Sequence, residues 1–455
     1  MNIISKGLNT KFFYRLAIAI SLLWFLILYP YLTFREWDVN VSKYNSSGTD
    51  FLQYYSGAIV ARYNLWEHLY PIEKEQIYQT QPHYEPYFNL FSPETGGKWS
   101  YYGPLGSPKN SDISSKLQEI CPKLAGEWRY IYPPPLAVAL SPLGHLDFDM
   151  AWRVWFALLS ACLFGTGYFS SKICQEFPNP NKLAEISAIL IPTIISIYNF
   201  TNTETAIYFG NVAPLIGFFI SLTTFAWIKN REYTTGICLL PQLLFKGMGV
   251  PFIIMFFHNP KKLKAALSLL VVSALINIYT ITNTGIDLYW KFFTVIIPKA
   301  DVAQGNGLQG LILYFFGLEL KTYFLVFGLV LYGILIYGYS KQKHPEHPGH
   351  QQNKSIATIA GIIATYALTN PTVWLHYFTC YVIYPFSGWI INETMKESDT
   401  HKASLSIIAL LMCTFKLPYL TIPLTALLIY ILHTSIKILF FDKRDHHYVF
   451  EKLPT

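Results

Sequence analysis

The sequence predicts an all-α polytopic membrane protein with about a dozen transmembrane helices and one long loop near the N-terminus. Three observations predict it. Of 455 residues, 52% are hydrophobic and only 13% are charged, against roughly 25% charged in average globular domains. The mean hydropathy is +0.30. Apolar runs of near-span length recur along the chain, and the connections rich in Lys and Arg fall at every second one, the pattern that orients spans with basic loops in the cytoplasm. The net charge of +7 therefore belongs to short loops. It does not form the clustered basic face that nucleic-acid binding requires.

The first span is expected at 12–34, after Lys6, Lys11 and Arg15, running from the cytoplasm outward. No small-residue cleavage site follows it, so it reads as a retained helix and not a signal peptide. A long extracytoplasmic segment, 35–150, comes next, rich in Trp, Tyr, Pro and Gly. Within it residues 49–63 read as an amphipathic interfacial helix, capped by Thr49 or Asp50, with its apolar face in the membrane interface. Residues 133–146 are apolar but short and broken by proline. They read as a partly immersed segment, because a full span there would turn several basic loops outward.

Further spans are expected at 151–171, 184–199, 210–228, 233–246, 249–259, 264–281, 319–340, 355–369, 373–391, 403–415 and 418–440. The connections 172–183, 229–232, 260–263, 341–354, 392–402 and the C-terminal tail then share the cytoplasmic side. Residues 341–354 (Lys-Gln-Lys-His-Pro-Glu-His-Pro-Gly-His-Gln-Gln-Asn-Lys) form a low-complexity linker. The expected division is a catalytic membrane module at 1–340, a cytoplasmic linker at 341–354 and a C-terminal helical block at 355–455. Cys162, Cys174, Cys238, Cys380 and Cys413 fall in or beside spans, and Cys121 lies in the outer loop. No disulfide framework and no zinc spacing follows from them.

The residues able to do chemistry collect on the side opposite the basic loops. Asp50 opens the interfacial helix, where a carboxylate can take a proton from a hydroxyl nucleophile or cap the helix. Lys246 stands in Leu-Leu-Phe-Lys-Gly-Met-Gly-Val-Pro between two short apolar runs. A lysine at membrane depth is functional or else snorkels, and Gly247 and Gly249 permit a turn that offers backbone donors to a phosphate. His376, in Thr-Asn-Pro-Thr-Val-Trp-Leu-His-Tyr, can donate to phosphate or carry a proton; Trp374 and Tyr377 beside it suit a membrane boundary equally. Asn211 opens a span after Gly210. Tyr54, Tyr55 and Tyr132 offer rings for a sugar, while Arg129 and Arg153 suit phosphate. Asp147-Phe148-Asp149 has the form of a metal-binding pair, yet it also sits where a helix start needs a cap and negative charge. His344, His347 and His350 repeat every third residue within a Pro- and Gly-rich linker, where a solvated tract explains them. No Walker, G-x-G-x-x-G, G-x-S-x-G or H-E-x-x-H motif occurs, so a cytosolic nucleotide site is not supported.

Taken in order, these motifs resemble glycosyltransferase family 87, polytopic transferases of the GT-C class. Asp50-Phe51-Leu52-Gln53-Tyr54-Tyr55-Ser56-Gly57-Ala58 with Leu69-Tyr70-Pro71 resembles the family's Asp-led helix. Tyr132-Pro133-Pro134-Pro135-Leu136 with Ser141-Pro142 resembles its Tyr-Pro-Pro-Leu element. Gly210-Asn211-Val212-Ala213 departs from Gly-Gln-x-Asn, and Lys246 with Pro251 shifts the proline of Lys-x-x-Pro. Asn370-Pro371-Thr372-Val373-Trp374-Leu375-His376-Tyr377 resembles Ser-Pro-x-x-Trp-x-His-Tyr. The resemblance spans roughly 45–390. It implies a GT-C-like enzyme of the plasma membrane, bacterial inner membrane by type, that moves a sugar, typically mannose, from a polyprenyl-phosphate carrier to a lipid-linked or glycan hydroxyl outside the cytoplasm. It implies inversion at the anomeric centre, Asp50 as base, and Lys246 and His376 facing the leaving phosphate; no metal or other cofactor is expected. Two other readings stay open: a transporter or flippase of a lipid-linked sugar, and a catalytically degenerate subunit of an envelope-glycan assembly.

Overall fold

The computed structural model describes residues 10–40, 49–66, 69–70, 132–177, 180–200, 210–246, 248–258, 262–296, 312, 320–341, 348–370, 377–395 and 421–441. Among them every regular element is helical. In chain order these are α1 (Thr10–Leu23), a π turn (Trp24–Leu28), α2 (Tyr29–Asn40), α3 (Thr49–Arg62), α4 (Pro134–Leu140), a 3-10 turn (Ser141–His145) and α5 (Phe148–Gln175). Then follow α6 (Lys182–Phe200), α7 (Ala213–Ile228), α8 (Glu232–Lys246), α9 (Val250–His258), α10 (Leu263–Thr284), α11 (Asp287–Lys291) and a second π turn (Phe292–Ile296). The chain closes with α12 (Lys321–Ser340), α13 (Pro348–Thr369), a third π turn (Phe378–Ile383), α14 (Tyr384–Met395) and α15 (Thr421–Phe440).

Among the described residues four stretches are long and apolar enough to cross a bilayer, by length and composition: Thr10–Arg35, Phe148–Gln175, Leu263–Thr284 and Thr322–Ser340. Their outer faces confirm the solvent they are built for. Val271, Leu275 and Ile278 on α10 and Leu325, Leu329 and Val330 on α12 are exposed, a display of apolar surface that water would not tolerate. The polar groups these helices carry turn inward. Ser21 and Thr193 pair their hydroxyls at 2.8 Å between α1 and α6, and the Trp24 indole donates to Ser196 at 2.7 Å. The Ser160 hydroxyl donates to the Phe25 carbonyl, satisfying backbone inside the first π turn, as lipid demands. α5 is the central strut. Asp147 caps it, accepting from the Met150 amide at 2.9 Å, and α6, α7 and α14 all pack on it. α7 approaches the third π turn so closely that a Cβ on Gly217 would run into the Cys380 carbonyl. Small residues at such contacts let membrane helices come together.

The basic connections meet at one end of the bundle. Lys229 pairs with Glu176 at 2.6 Å. Lys262, only 4% exposed, donates to Asn230 at 3.2 Å and lies over the Trp227 ring. Tyr339, next to the α12 terminus, meets Trp227 edge-on. The connections 172–183, 229–232 and 260–263, together with the end of α12, therefore share one end, as the alternation of charge predicts.

Two expectations need correcting. α3 is not a surface helix with one wetted face. Phe51, Tyr54, Tyr55, Ser56, Ala58, Ile59 and Val60 are all buried, because α4 covers one side and the 3-10 turn another. Tyr55 donates to the Leu146 carbonyl at 2.8 Å and Arg62 to the Gly144 carbonyl at 2.6 Å, fixing that packing. The low-complexity linker is also shorter than 341–354. α13 begins at Pro348, Asn353 and Lys354 are buried, and Asn353 accepts from the Trp389 indole at 3.0 Å. Residues 133–146 form α4 and a short 3-10 turn, with no single helix long enough to span. The expected span 403–415, Cys121, Cys413, and His344 and His347 lie outside the described residues.

Candidate functional site

At the end away from the basic connections, four motifs come together around Tyr54. Its hydroxyl donates to the Tyr132 hydroxyl at 2.9 Å and accepts from the Val212 amide at 3.2 Å. One phenol thus joins the Asp50 helix, the Tyr132-Pro-Pro-Pro motif and the Gly210-Asn211 turn, with its ring 4.9 Å from that of Tyr132. The fourth motif enters through Tyr377, which begins the segment after His376. Its ring stacks on Tyr381 at 5.1 Å and 10°, and Tyr381 lies in the neighbourhood of Tyr54. Tyr366 on α13 and Tyr332 on α12 extend this run of phenols.

The Gly210-Asn211 turn is held by shape. Gly210 adopts φ +69°, and a Cβ there would stand 2.6 Å from Cβ of Phe51 and 2.7 Å from Cζ3 of Trp152. Only glycine combines that backbone with that approach. Asn211 is 2% exposed and accepts from the Ala213 amide at 2.8 Å, starting α7. Trp155 donates to the Gly210 carbonyl at 2.7 Å and lies 5.5 Å from the Tyr54 ring. Asp50 occupies the first turn of α3, next to Phe51, so its backbone is set by this same contact.

Lys246 ends α8. From the basic end α8 rises 15 residues, roughly 22 Å, and α9 returns over nine, about 14 Å. Both fall short of a hydrocarbon core of about 30 Å. The turn between them therefore breaks the helix at membrane depth. Irregular backbone is tolerated there only when protein covers it or it lines a cavity. Met248 is 2% exposed, and its amide donates to the Gln242 carbonyl at 3.0 Å. α8 touches α4, the helix that follows Tyr132.

The remaining candidates separate. The Arg153 guanidinium lies 5.4 Å over the Phe34 ring, on the α2 side of α5. Tyr55 directs its hydroxyl to the turn before α5, away from Tyr132. Asp147 serves as a helix cap, and no group of three metal-ligating side chains comes together among the described residues. Arg129, Trp374 and His376 lie outside the described residues. Sequence reasoning missed Trp155 and Tyr381. The signal for Trp155 was an indole in an apolar span, whose N–H needs a partner; Tyr381 had none, since nothing in the sequence says its hydroxyl points inward.

Residues 130–349 match the family model of Glycosyltransferase family 87, which the motifs resemble. That stretch holds the Tyr132, Asn211 and Lys246 motifs, and Asp50 and His376 fall on either side of it. The match, over a little under half of the chain, together with the apolar helices, supports a membrane glycosyltransferase. No curated protein and no solved structure matches the chain.

Proposed function

We propose that this chain, whose residues 130–349 match the Glycosyltransferase family 87 model, transfers a sugar, mannose first among candidates, from a polyprenyl-phosphate carrier to a lipid-linked or glycan hydroxyl. The reaction runs at the extracytoplasmic face of a bacterial inner membrane. The single observation that carries the reading is the junction at Tyr54, where elements from three distant motifs share hydrogen bonds at the end opposite the basic loops. Positive charge retained in the cytoplasm puts that junction on the far side.

In the proposed step an acceptor hydroxyl attacks the anomeric carbon from the face opposite the carrier. The bond from that carbon to the phosphate oxygen breaks, the configuration inverts, and the hydroxyl proton passes to the Asp50 carboxylate. Polyprenyl phosphate leaves with the electron pair. Lys246, at the helix break, and His376 balance the charge that grows on it, with Arg129 as an outer phosphate contact; Arg153, set over Phe34, is left out of the donor site. Tyr54, Tyr55, Tyr132, Asn211, Trp374 and Tyr377 line or support the sugar site. Residues 1–340 supply the base and the phosphate turn, and 355–455 complete the donor side. The chemistry calls on no cofactor.

The test is transfer of radiolabelled sugar from a polyprenyl-phospho-sugar by purified protein in detergent. Wild type transfers, and Asp50→Asn retains donor binding while transfer falls at least about 1,000-fold, the loss expected when general-base help is removed. Transfer by Asp50→Asn at the wild-type rate removes Asp50 from the base role. Transport of intact carrier-linked sugar without transfer makes the protein a flippase. Impermeant thiol labelling of cysteine at position 50 from outside, and at 346 only from inside, checks the orientation.

A further inference from the structure

Tyr381, like the Gln53 amide oxygen on α3, is a buried polar group whose partner the described residues do not supply. It lies in the π turn Phe378–Ile383, a form of helix that gathers at functional sites. The side chain is completely buried, and among the described residues its hydroxyl has no hydrogen-bond partner. The polar groups of the Tyr54 junction are engaged with one another. Tyr54 binds Tyr132 and Val212, Tyr70 donates to the Tyr132 carbonyl at 2.6 Å, and Trp155 serves the Gly210 carbonyl. A phenylalanine would fill the same place without an orphaned hydroxyl, and buried polar groups in folded proteins nearly always have partners. A group retained against that cost has its partner in another state of the protein.

The surroundings limit what that partner is. Tyr381 stacks on Tyr377 and lies in the neighbourhood of Tyr54 and Tyr366. These are neutral phenols with flat apolar faces. Phosphate oxygens call for cations or charge-assisted donors; a sugar presents hydroxyls at its edge and C–H groups on its face, which phenols meet on both counts. On the reading under Proposed function, we propose that the Tyr381 hydroxyl binds a hydroxyl of the transferred sugar, as a specificity-determining contact of the donor site. The carrier phosphate stays outside the phenol cluster.

The experiment compares wild type with Tyr381→Phe, using two probes: a short-chain polyprenyl phosphate and the same carrier bearing its hexose. Dissociation constants, kcat and KM for the hexose carrier, and the thermal midpoint are measured. Wild type binds the hexose carrier more tightly than the bare phosphate. Tyr381→Phe weakens the hexose carrier about 10-fold (~1.4 kcal/mol), leaves the bare phosphate unchanged, and holds or raises the midpoint. Equal weakening of both probes, no weakening of either, or loss of affinity together with a lowered midpoint overturns the assignment. A wild type that transfers hexose beside an unaffected Tyr381→Phe sinks this inference alone. A wild type that transfers none sinks the reading it rests on as well.

Discussion

Gly210→Ala is the sharpest perturbation of the Tyr54 junction. At φ +69° an alanine costs about 1–2 kcal/mol in backbone energy alone. Its Cβ would lie 2.6 Å from Phe51 Cβ and 2.7 Å from Trp152 Cζ3, where ordinary contact begins at 3.4 Å. Neither neighbour can give way by rotating. Phe51 Cβ is fixed to the α3 backbone, whose Cα is itself 3.3 Å away, and both rings are fully buried. Relief requires α3 or the start of α7 to shift, and overpacking of that kind costs about 1–3 kcal/mol. The sum is about 2–5 kcal/mol of stability. Because Asp50 precedes Phe51, the shift also moves the proposed base, and a displacement of about 1 Å can cost about 100-fold in rate. The assay is thermal unfolding in detergent followed by tryptophan fluorescence, with transfer measured well below the midpoint. A variant that melts with wild type and transfers at the wild-type rate would refute both the strain argument and the placement of Asp50 against this turn.

Three hydrogen-bonding or charge changes accompany it. Tyr54→Phe and Tyr132→Phe should show a coupling of about 1 kcal/mol in a double-mutant cycle of stability, the worth of one hydrogen bond; additive effects would mean the 2.9 Å contact contributes nothing. Tyr54→Phe should be the costlier single change, by about 1–3 kcal/mol, because it also strands the buried Val212 amide. Lys246→Ala should raise the KM for donor about 10-fold or more and leave the midpoint within error; a lowered midpoint with unchanged KM would make Lys246 a snorkelling anchor.

Much of the bundle was legible because lipid imposes few solutions. The run expected at 233–246 is α8, Glu232–Lys246, and that at 264–281 is α10, Leu263–Thr284. Charge alternation foretold that Lys229 and Lys262 share an end. Burial of α3 was not legible. Residues 49–63 read as an amphipathic helix lying in the interface, but the Tyr54 and Tyr55 hydroxyls are spent on groups 78 and 91 residues away. Pairing over that distance leaves no local periodicity. The linker was misjudged for the opposite reason: Asn353 and Lys354 look solvated, yet a tryptophan 36 residues on closes over Asn353. In the site, motif order pointed to Asp50, Tyr132 and Asn211, whereas Trp155 and Tyr381 depend on which face of a wholly apolar helix turns inward. A stretch hydrophobic all round gives no moment from which to read that.

The clamp formed by Glu176, Lys229, Asn230 and Lys262 has a mechanical consequence. It ties the ends of α5, α7 and α10 together, so an opening that admits the substrates of the proposed reaction is expected at the far ends, near Tyr54. A crosslink joining the pinned loops should leave turnover intact; one joining α3 to α7 near Val212 should lock the tips together and stop it.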